Sequence, residues 1–291
     1  PAVILDPKSA ATTASRPIGT GPFRFEDWKK GSSVTLVKFP GFRNAAAVKL
    51  ERVTFRIIND PAAQVAALLA GDVDGFPRGL ATQGLAQFRA DPRFTVATGS
   101  TAGKGIVAMN NKRKPFDDVR VRRAVAHAID RKAFIDGVLD GFARPIGSHM
   151  APTDAGYVDL TAVTPYDPAK AQALLKEAGA KLPLEVTLTL PPPPYARKGG
   201  EVIAAQLAKV GIVAKIENVE WAQWLSGAYK GNFDLTIINH VEPLDYLIYT
   251  DPKYYYGYDS KAFRELVSRH ASTTNPKERL RLFGEIQQQL A

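Results

Sequence analysis

Cysteine is absent from this 291-residue sequence. The chain therefore has no disulfide framework, no thiolate metal ligand and no cysteine nucleophile. No apolar run approaches the roughly 18 residues of a membrane-spanning helix, and no basic segment followed by an apolar one opens the chain. Because the sequence begins with Pro1 and not with methionine, we expect it to be an internal fragment or a processed product of a longer chain. The lack of cysteine is compatible with an oxidising compartment but does not require one.

Histidine is also scarce, and its spacing argues against an enzyme. The four histidines form no H-x-x-x-H or H-E-x-x-H pair, and no G-x-S-x-G nucleophile elbow occurs. They are His127, His149, His240 and His270. We expect no catalytic residue, no metal site and no cofactor. One alternative stays open, a hydrolase in which folding brings His240, Asp245 and a serine together.

Two glycine-rich stretches lack the spacing of a phosphate loop. Gly19–Pro22 (GTGP) has turn chemistry with no helix after it. Gly99–Gly105 (GSTAGKG) has three residues between glycines where a Walker loop has four, and glycine follows its lysine. Both stretches are interpreted as turns, so nucleotide binding is not expected.

The charge balance is basic, with 38 lysines and arginines against 29 acidic residues and a net charge of +9. Such a balance favours acidic partners. The densest basic cluster, Lys112–Lys114 with Arg120–Arg123, is interrupted by Asp117 and Asp118, which indicates a solvated face. We expect no nucleic-acid partner, although a basic nucleic-acid-binding or scaffold module is the alternative function.

The stretch from Pro115 to Leu139 predicts two capped helices. Asp117 or Asp118 can cap the first helix and Asp130 the second, because a short carboxylate accepts hydrogen bonds from the free N–H groups of a first turn. Apolar residues recur at helical spacing behind both caps. Strands and helices alternate after residue 106, which predicts α/β layers.

Three segments of the sequence resemble one protein family. They are Ile106–Phe116 (IVAMNNKRKPF) followed by DDVRVRRA and AIDR, Gly19–Gly31 (GTGPFRFEDWKKG), and Gln206–Leu225 (QLAKVGIVAKIENVEWAQWL). Together they resemble the extracytoplasmic solute-binding proteins of ATP-driven (ABC) importers, in the peptide and nickel class called family 5. The family's proteins are longer, and this chain resembles only their later part.

The resemblance implies a fold and a domain division. It implies an α/β, periplasmic-binding-protein-like (type II) architecture of two lobes, with the first lobe incomplete. Residues 1–105 would form part of the first lobe, a mixed sheet with a hairpin and helices. Residues 106–291 would form the second α/β lobe, which binds ligand.

The resemblance also implies a function without catalysis. The protein would capture a small solute between two lobes in the periplasm or another extracytoplasmic space, then deliver it to membrane permease subunits. A peptide, an amino acid conjugate, a sugar or a metal chelate are all represented in such families. The importer hypothesis predicts saturable, stoichiometric binding without turnover.

Candidate ligand-binding residues follow two strands, because ligands of open α/β lobes collect at the carboxyl ends of strands. Pro191–Arg197 offers the ring and hydroxyl of Tyr195 and the guanidinium fork of Arg197. The loop after the apolar strand predicted at Phe233–Ile238 offers Asn239, His240, Glu242 and Asp245. The alternative for each loop is an ordinary exposed turn.

The resemblance adds roles for some of these residues. In peptide-binding relatives an aspartate after this strand receives the ligand's amino group, a role that Glu242 or Asp245 could take. Dipeptide-binding relatives carry an arginine where this chain has Pro193, which disfavours a classical dipeptide ligand. Trp221 lies at a helix start that borders the family's cleft and is a candidate for stacking on ligand. Trp224 and Leu225 are expected in the core.

Overall fold

The computed structural model describes residues 7–76 and 84–291. The chain divides into two compact units, Pro1–Val96 and Ala97–Ala291. Within the described ranges, none of the helices combines the length and the apolar character needed to cross a bilayer.

The first unit contains a three-stranded antiparallel sheet in the order β1-β2-β3, followed by two helices. The elements are β1 (Phe23–Lys29), β2 (Ser33–Lys38), β3 (Arg52–Arg56), α1 (Pro61–Ala70) and α2 (Leu85–Ala90). Lys29 pairs with Ser33, which closes the β1–β2 hairpin. Gly31 in its turn has φ +74°, a conformation that glycine adopts without the steric cost of a side chain.

The second unit is an α/β layer structure, as the alternation of elements predicts. Its strands are β4 (Lys104–Met109), β5 (Leu184–Leu190), β6 (Ile212–Asn218) and β7 (Leu235–His240). Its helices are α3 (Val119–Ala128), α4 (Arg131–Leu139), α5 (Pro168–Glu177), α6 (Pro194–Ala208), α7 (Trp221–Ser226), α8 (Lys261–Ser272) and α9 (Pro276–Leu290).

The sheet of the second unit has the order β4-β7-β5-β6. Strand β5 runs parallel to both β6 and β7, whereas β4 runs antiparallel to β7. The carboxyl ends of β5, β6 and β7 and the amino end of β4 therefore lie along one edge of the sheet. Lys104 pairs with His240 at that edge, and Leu190 pairs with Asn218.

The main core of the second unit packs α3, α5 and α6 against this sheet. Val121 and Val125 of α3, Leu175 of α5 and Leu207 of α6 bury their side chains against Leu188 of β5. The apolar stripe of α3 is the one that its sequence predicts, and its arginines lie outside this buried set. Burying apolar area of this kind is the dominant favourable term in folding.

Short polar side chains cap the helix starts, as predicted from the sequence. Asp118 accepts a hydrogen bond from the N–H of Arg120 (2.8 Å), and Asp130 accepts one from the N–H of Ala133 (2.9 Å). Each carboxylate satisfies one of the backbone donors that a helix start leaves free. The capped pair α3–α4 therefore has the boundaries that local sequence dictates.

Candidate functional site

The two stretches predicted to bind ligand meet at the sheet edge that holds the carboxyl ends of β5, β6 and β7. Tyr195 lies in the first turn of α6, directly after β5, and its hydroxyl accepts a 3.2 Å hydrogen bond from the N–H of Asn239. Burial raises the pKa of the Tyr195 phenol. The side chain is therefore a neutral hydroxyl at neutral pH, held at the junction of the two loops.

Arg197 lies one turn into α6 and forms an ion pair with Glu220, at 3.0 Å between Nη2 and Oε1. Its Nε atom is buried and has no hydrogen-bond partner within residues 7–76 and 84–291. The guanidinium is thus only partly engaged by protein groups. The side chain is 41% exposed, so the outer N–H groups of its planar fork can meet an anionic group of a ligand.

Trp221 begins α7, and its side chain is exposed, with the ring edge-on to Trp224 at 5.8 Å between centroids. Trp224 is buried and its indole N–H donates to Thr236 Oγ1 (3.0 Å), so its predicted core position is confirmed. The prediction for Leu225 was wrong, because that side chain is 50% exposed. Consecutive helix residues point about 100° apart, and in α7 only the direction of Trp224 leads into a buried apolar cluster.

The polar residues at the end of β7 and in the loop after it form an exposed set and a buried set. Asn239 and Glu242 are exposed, whereas His240 and Asp245 are buried. Glu242 Oε2 accepts from the N–H of Val241 (3.0 Å). Hydrogen bonds from backbone N–H groups of this turn, with smaller contributions from His240 and Lys104, lower the pKa of Glu242. The carboxylate is therefore charged and open to solvent.

The buried set forms a cluster with residues that sequence analysis missed. His240 Nδ1 lies 2.8 Å from Asp245 Oδ2, and His149 Nε2 lies 3.5 Å from the same oxygen. The two imidazole rings meet edge to face at 5.0 Å between centroids. His149 comes from the loop between α4 and α5, and nothing in its local sequence pairs it with the β7 loop.

Burial lowers the pKa of His149 to about 3, with smaller electrostatic contributions from His240 and Lys104. Its imidazole is therefore neutral at neutral pH. Lys104 is fully buried, and its ammonium group donates to the carbonyls of Ala102 (2.8 Å) and Glu242 (2.7 Å). The antiparallel β4–β7 pairing brings this lysine to the cluster.

The hydrolase alternative requires a serine hydrogen-bonded to His240, and the described contacts of His240 include no serine. Within the described part of the chain, the partners of the two His240 ring nitrogens are Asp245 and the hydroxyl of Tyr255. A general base needs a hydrogen bond to its nucleophile. The geometry thus gives the hydrolase alternative no support.

Residues 2–262 match the family of bacterial extracellular solute-binding proteins, family 5 (Middle). The chain belongs to this family. It is 32% identical to di/tripeptide-binding protein 1 of Pseudomonas aeruginosa over 244 residues, which are 81% of this chain and 45% of that protein. It is 29% identical to heme-binding protein A of Haemophilus influenzae over 293 residues, covering 95% of this chain and 53% of that one.

A solved structure resembles the chain over nearly its whole length. It is the ABC transporter-associated periplasmic binding protein DppA of Helicobacter pylori in complex with the peptide STSA. The TM-score is 0.87 at 26% identity, and the match covers 98% of this chain and 59% of that one. The predicted fold class is thereby confirmed, namely the α/β type II two-lobe periplasmic-binding-protein fold with an incomplete first lobe.

The family predicted from the sequence is also confirmed, and the chain resembles only part of its members. It spans about half the length of the curated relatives it matches. The relatives bind chemically different solutes, since one is named for di- and tripeptides and another for heme.

Proposed function

We propose that this protein captures a small solute for an ABC importer and passes it to the importer's permease subunits without catalysing a reaction. Its family membership supports the role of solute capture. The observation that carries the proposal is the convergence of Tyr195, Trp221, Asn239 and Glu242 along one sheet edge of the second unit. Such an edge is where open α/β lobes bind ligands.

The exposed groups at this edge define the chemistry of the solute. Trp221 presents an open indole face for an apolar or planar portion. Glu242 presents a charged carboxylate for an amino or other cationic group, and the exposed part of the Arg197 guanidinium presents donors for an anionic group. A zwitterionic solute, such as a peptide or an amino acid conjugate, satisfies all three. We therefore rank these classes ahead of sugars and metal chelates.

We further propose that the protein works in the periplasm or another extracytoplasmic space. The related DppA protein of Helicobacter pylori is described as periplasmic, which supports this location. In that space the solute-loaded protein would meet the permease.

A thermal-shift screen of the purified protein tests the proposal. The ligands are di- and tripeptides, amino acid conjugates, sugars and metal chelates. A solute present at about 100 times its dissociation constant should stabilise the fold by about 2.7 kcal/mol. Mass spectrometry should recover that solute unchanged after prolonged incubation. If the whole panel causes no shift while DNA stabilises the protein in a salt-sensitive way, the nucleic-acid-binding alternative replaces solute capture.

Two matched pairs of variants locate the binding surface. Trp221→Ala should weaken binding of the identified solute, whereas Leu225→Ala, another exposed apolar truncation on α7, should not. Glu242→Gln should weaken binding, whereas Glu265→Gln, an exposed carboxylate on α8, should not. If each test variant binds the solute as tightly as its control variant, the solute binds at another surface.

A further inference from the structure

His149, His240 and Asp245 present three metal-ligating atoms in one small buried volume. All three atoms lie within 4.8 Å of one another, and Asp245 Oδ2 lies 2.8 Å from His240 Nδ1 and 3.5 Å from His149 Nε2. A tetrahedral zinc ion, with bonds of about 2.0–2.1 Å, holds its ligands about 3.4 Å apart. The cluster is therefore close to the size of a transition-metal site.

In each histidine, the ring nitrogen that does not face Asp245, here called the outer nitrogen, contacts a tyrosine hydroxyl. His149 Nδ1 lies 2.5 Å from the hydroxyl of Tyr249, and His240 Nε2 lies 3.0 Å from the hydroxyl of Tyr255. Metal-binding histidines characteristically donate their second ring N–H to an oxygen acceptor, usually a carboxylate, a backbone carbonyl or water, which fixes the ring and the tautomer. A phenol oxygen can accept the same hydrogen bond.

One atom of the cluster is left without a partner. His149 Nε2 is buried and makes no hydrogen bond to any residue in the described ranges, and its residue is only 3% exposed. An unpaired polar atom in the interior costs free energy, because it has lost its hydrogen bonds to water. When Nδ1 carries the ring proton and donates it to Tyr249, the lone pair of Nε2 faces the Asp245 carboxylate and is open to a metal ion.

We propose that His149, His240 and Asp245 bind a divalent transition-metal ion of the zinc, cobalt or nickel class. The fourth position would go to water or to a donor atom of a solute. Two imidazole nitrogens favour these metals over Mg²⁺ and Ca²⁺, which prefer sets of oxygen ligands. This site does not depend on the proposed solute capture.

The test uses metal salts alone on protein stripped with EDTA and dialysed. Calorimetric titration with Zn²⁺ should give one ion per chain, and Co²⁺ should give the visible absorption of a tetrahedral site that Zn²⁺ abolishes. A tenfold excess of Mg²⁺ should not compete. The absence of stoichiometric Zn²⁺ and Co²⁺ binding would overturn the site.

Variants assign the ligands. His149→Gln and Asp245→Asn should each weaken Zn²⁺ binding more than tenfold, and Tyr249→Phe should weaken it about 10–100-fold through loss of the outer hydrogen bond. His270→Gln is the matched control, because His270 is also buried and bonded to a tyrosine, Tyr246. Wild-type affinity in both ligand variants would overturn the assignment.

Histidine NMR on the wild-type protein keeps the proposal testable if a variant fails to fold. Of the four histidine Hε1 resonances, Zn²⁺ should shift two strongly, those of His149 and His240. Strong shifts confined to His127 and His270 would place the metal elsewhere. Because no solute is added, failure of the metal site leaves the solute screen unaffected, and the reverse holds too.

Discussion

The hydroxyl of Tyr195 accepts a 3.2 Å hydrogen bond from the backbone N–H of Asn239. The two residues lie 44 positions apart in the sequence, Tyr195 in the first turn of α6 and Asn239 near the carboxyl end of β7. The bond links a side chain of α6 to the backbone of β7, so the two elements restrain each other. The phenolic oxygen of Tyr195 is therefore one of the contacts that set the geometry of the candidate site.

Tyr195→Phe removes that oxygen while keeping the ring. We expect a loss of about 0.5–1.5 kcal/mol in the free energy of unfolding, the usual net value of one hydrogen bond. Urea denaturation with a constant m-value measures it. Tyr166→Phe, at an exposed position just before α5, is the control and should change the stability little. Equal stabilities of the two variants would show that the bond contributes nothing.

A buried hydrogen bond anchors α7 to the sheet. The indole N–H of Trp224 donates to Thr236 Oγ1 at 3.0 Å, and Thr236 is fully buried. Thr236→Val keeps the side-chain shape but leaves the indole donor unpaired, so we expect it to cost about 1–3 kcal/mol of stability. Thr187→Val, on the neighbouring strand β5 and only partly buried, is the control and should cost less.

A double-mutant cycle separates that bond from simple loss of packing. In a Trp224→Phe background the donor is gone, so the Thr236→Val substitution should cost much less than in the wild type. The stability is measured by denaturant unfolding of all four proteins. Additive costs would mean that Thr236 stabilises the protein in some way other than by accepting from the indole.

Local signals in the sequence predicted the helices of the second unit well. Asp118, Asp130 and Asn275 cap the helices that their positions predict, because capping depends on residues within one turn of each other. The edge where Tyr195 meets Asn239 was predictable for a similar reason, since carboxyl ends of parallel strands share an edge.

The buried cluster could not be predicted because its contacts are not local. His149 meets Tyr249 at a separation of 100 residues, and Lys104 contacts Glu242 at a separation of 138. Both contacts depend on β4 pairing antiparallel with β7 and on the path of the loop that carries His149. Spacing rules for metal-binding histidines detect ligands on one helix or one loop, whereas His149 and His240 lie on two separate segments.

The stability should depend on pH through His270. Burial, reinforced by the nearby positive charge of Arg279, lowers the pKa of His270 below its usual value near 6.5. The unfolded chain then binds a proton that the folded chain does not, so the stability should fall as the pH falls from about 6.5. The wild type should therefore lose more unfolding free energy between pH 7.5 and 5.5 than His270→Gln.

Arg279→Gln tests the electrostatic part of that effect. Removing the guanidinium should raise the pKa of His270, measured by NMR titration of its Hε1 resonance. The loss of stability on acidification should shrink in parallel. Arg264→Gln, an exposed arginine of α8 paired with Asp259, is the control and should leave the His270 pKa unchanged. An unchanged pKa in Arg279→Gln would leave burial as the sole cause.

Two glycines should respond oppositely to substitution by alanine. A Cβ at Gly147 would lie 2.1 Å from the carbonyl carbon of Leu160, so backbone would have to move. Overpacking of this kind typically costs about 1–3 kcal/mol. Gly137 lies inside α4, is exposed, and has open space where a Cβ would stand. Gly137→Ala should therefore stabilise the protein by about 0.5–1 kcal/mol, because alanine loses less backbone entropy in a helix.

The loop around Gly147 also carries His149, so the same substitution reports on the buried cluster. If the close approach of Gly147 to Leu160 positions that loop, Gly147→Ala should weaken Zn²⁺ binding as well as stability, whereas Gly137→Ala should change only stability. Calorimetry and thermal unfolding of the two variants measure both effects. A destabilised Gly147→Ala protein that keeps full Zn²⁺ affinity would show that the His149 loop is positioned by its own contacts, chiefly the hydrogen bond to Tyr249.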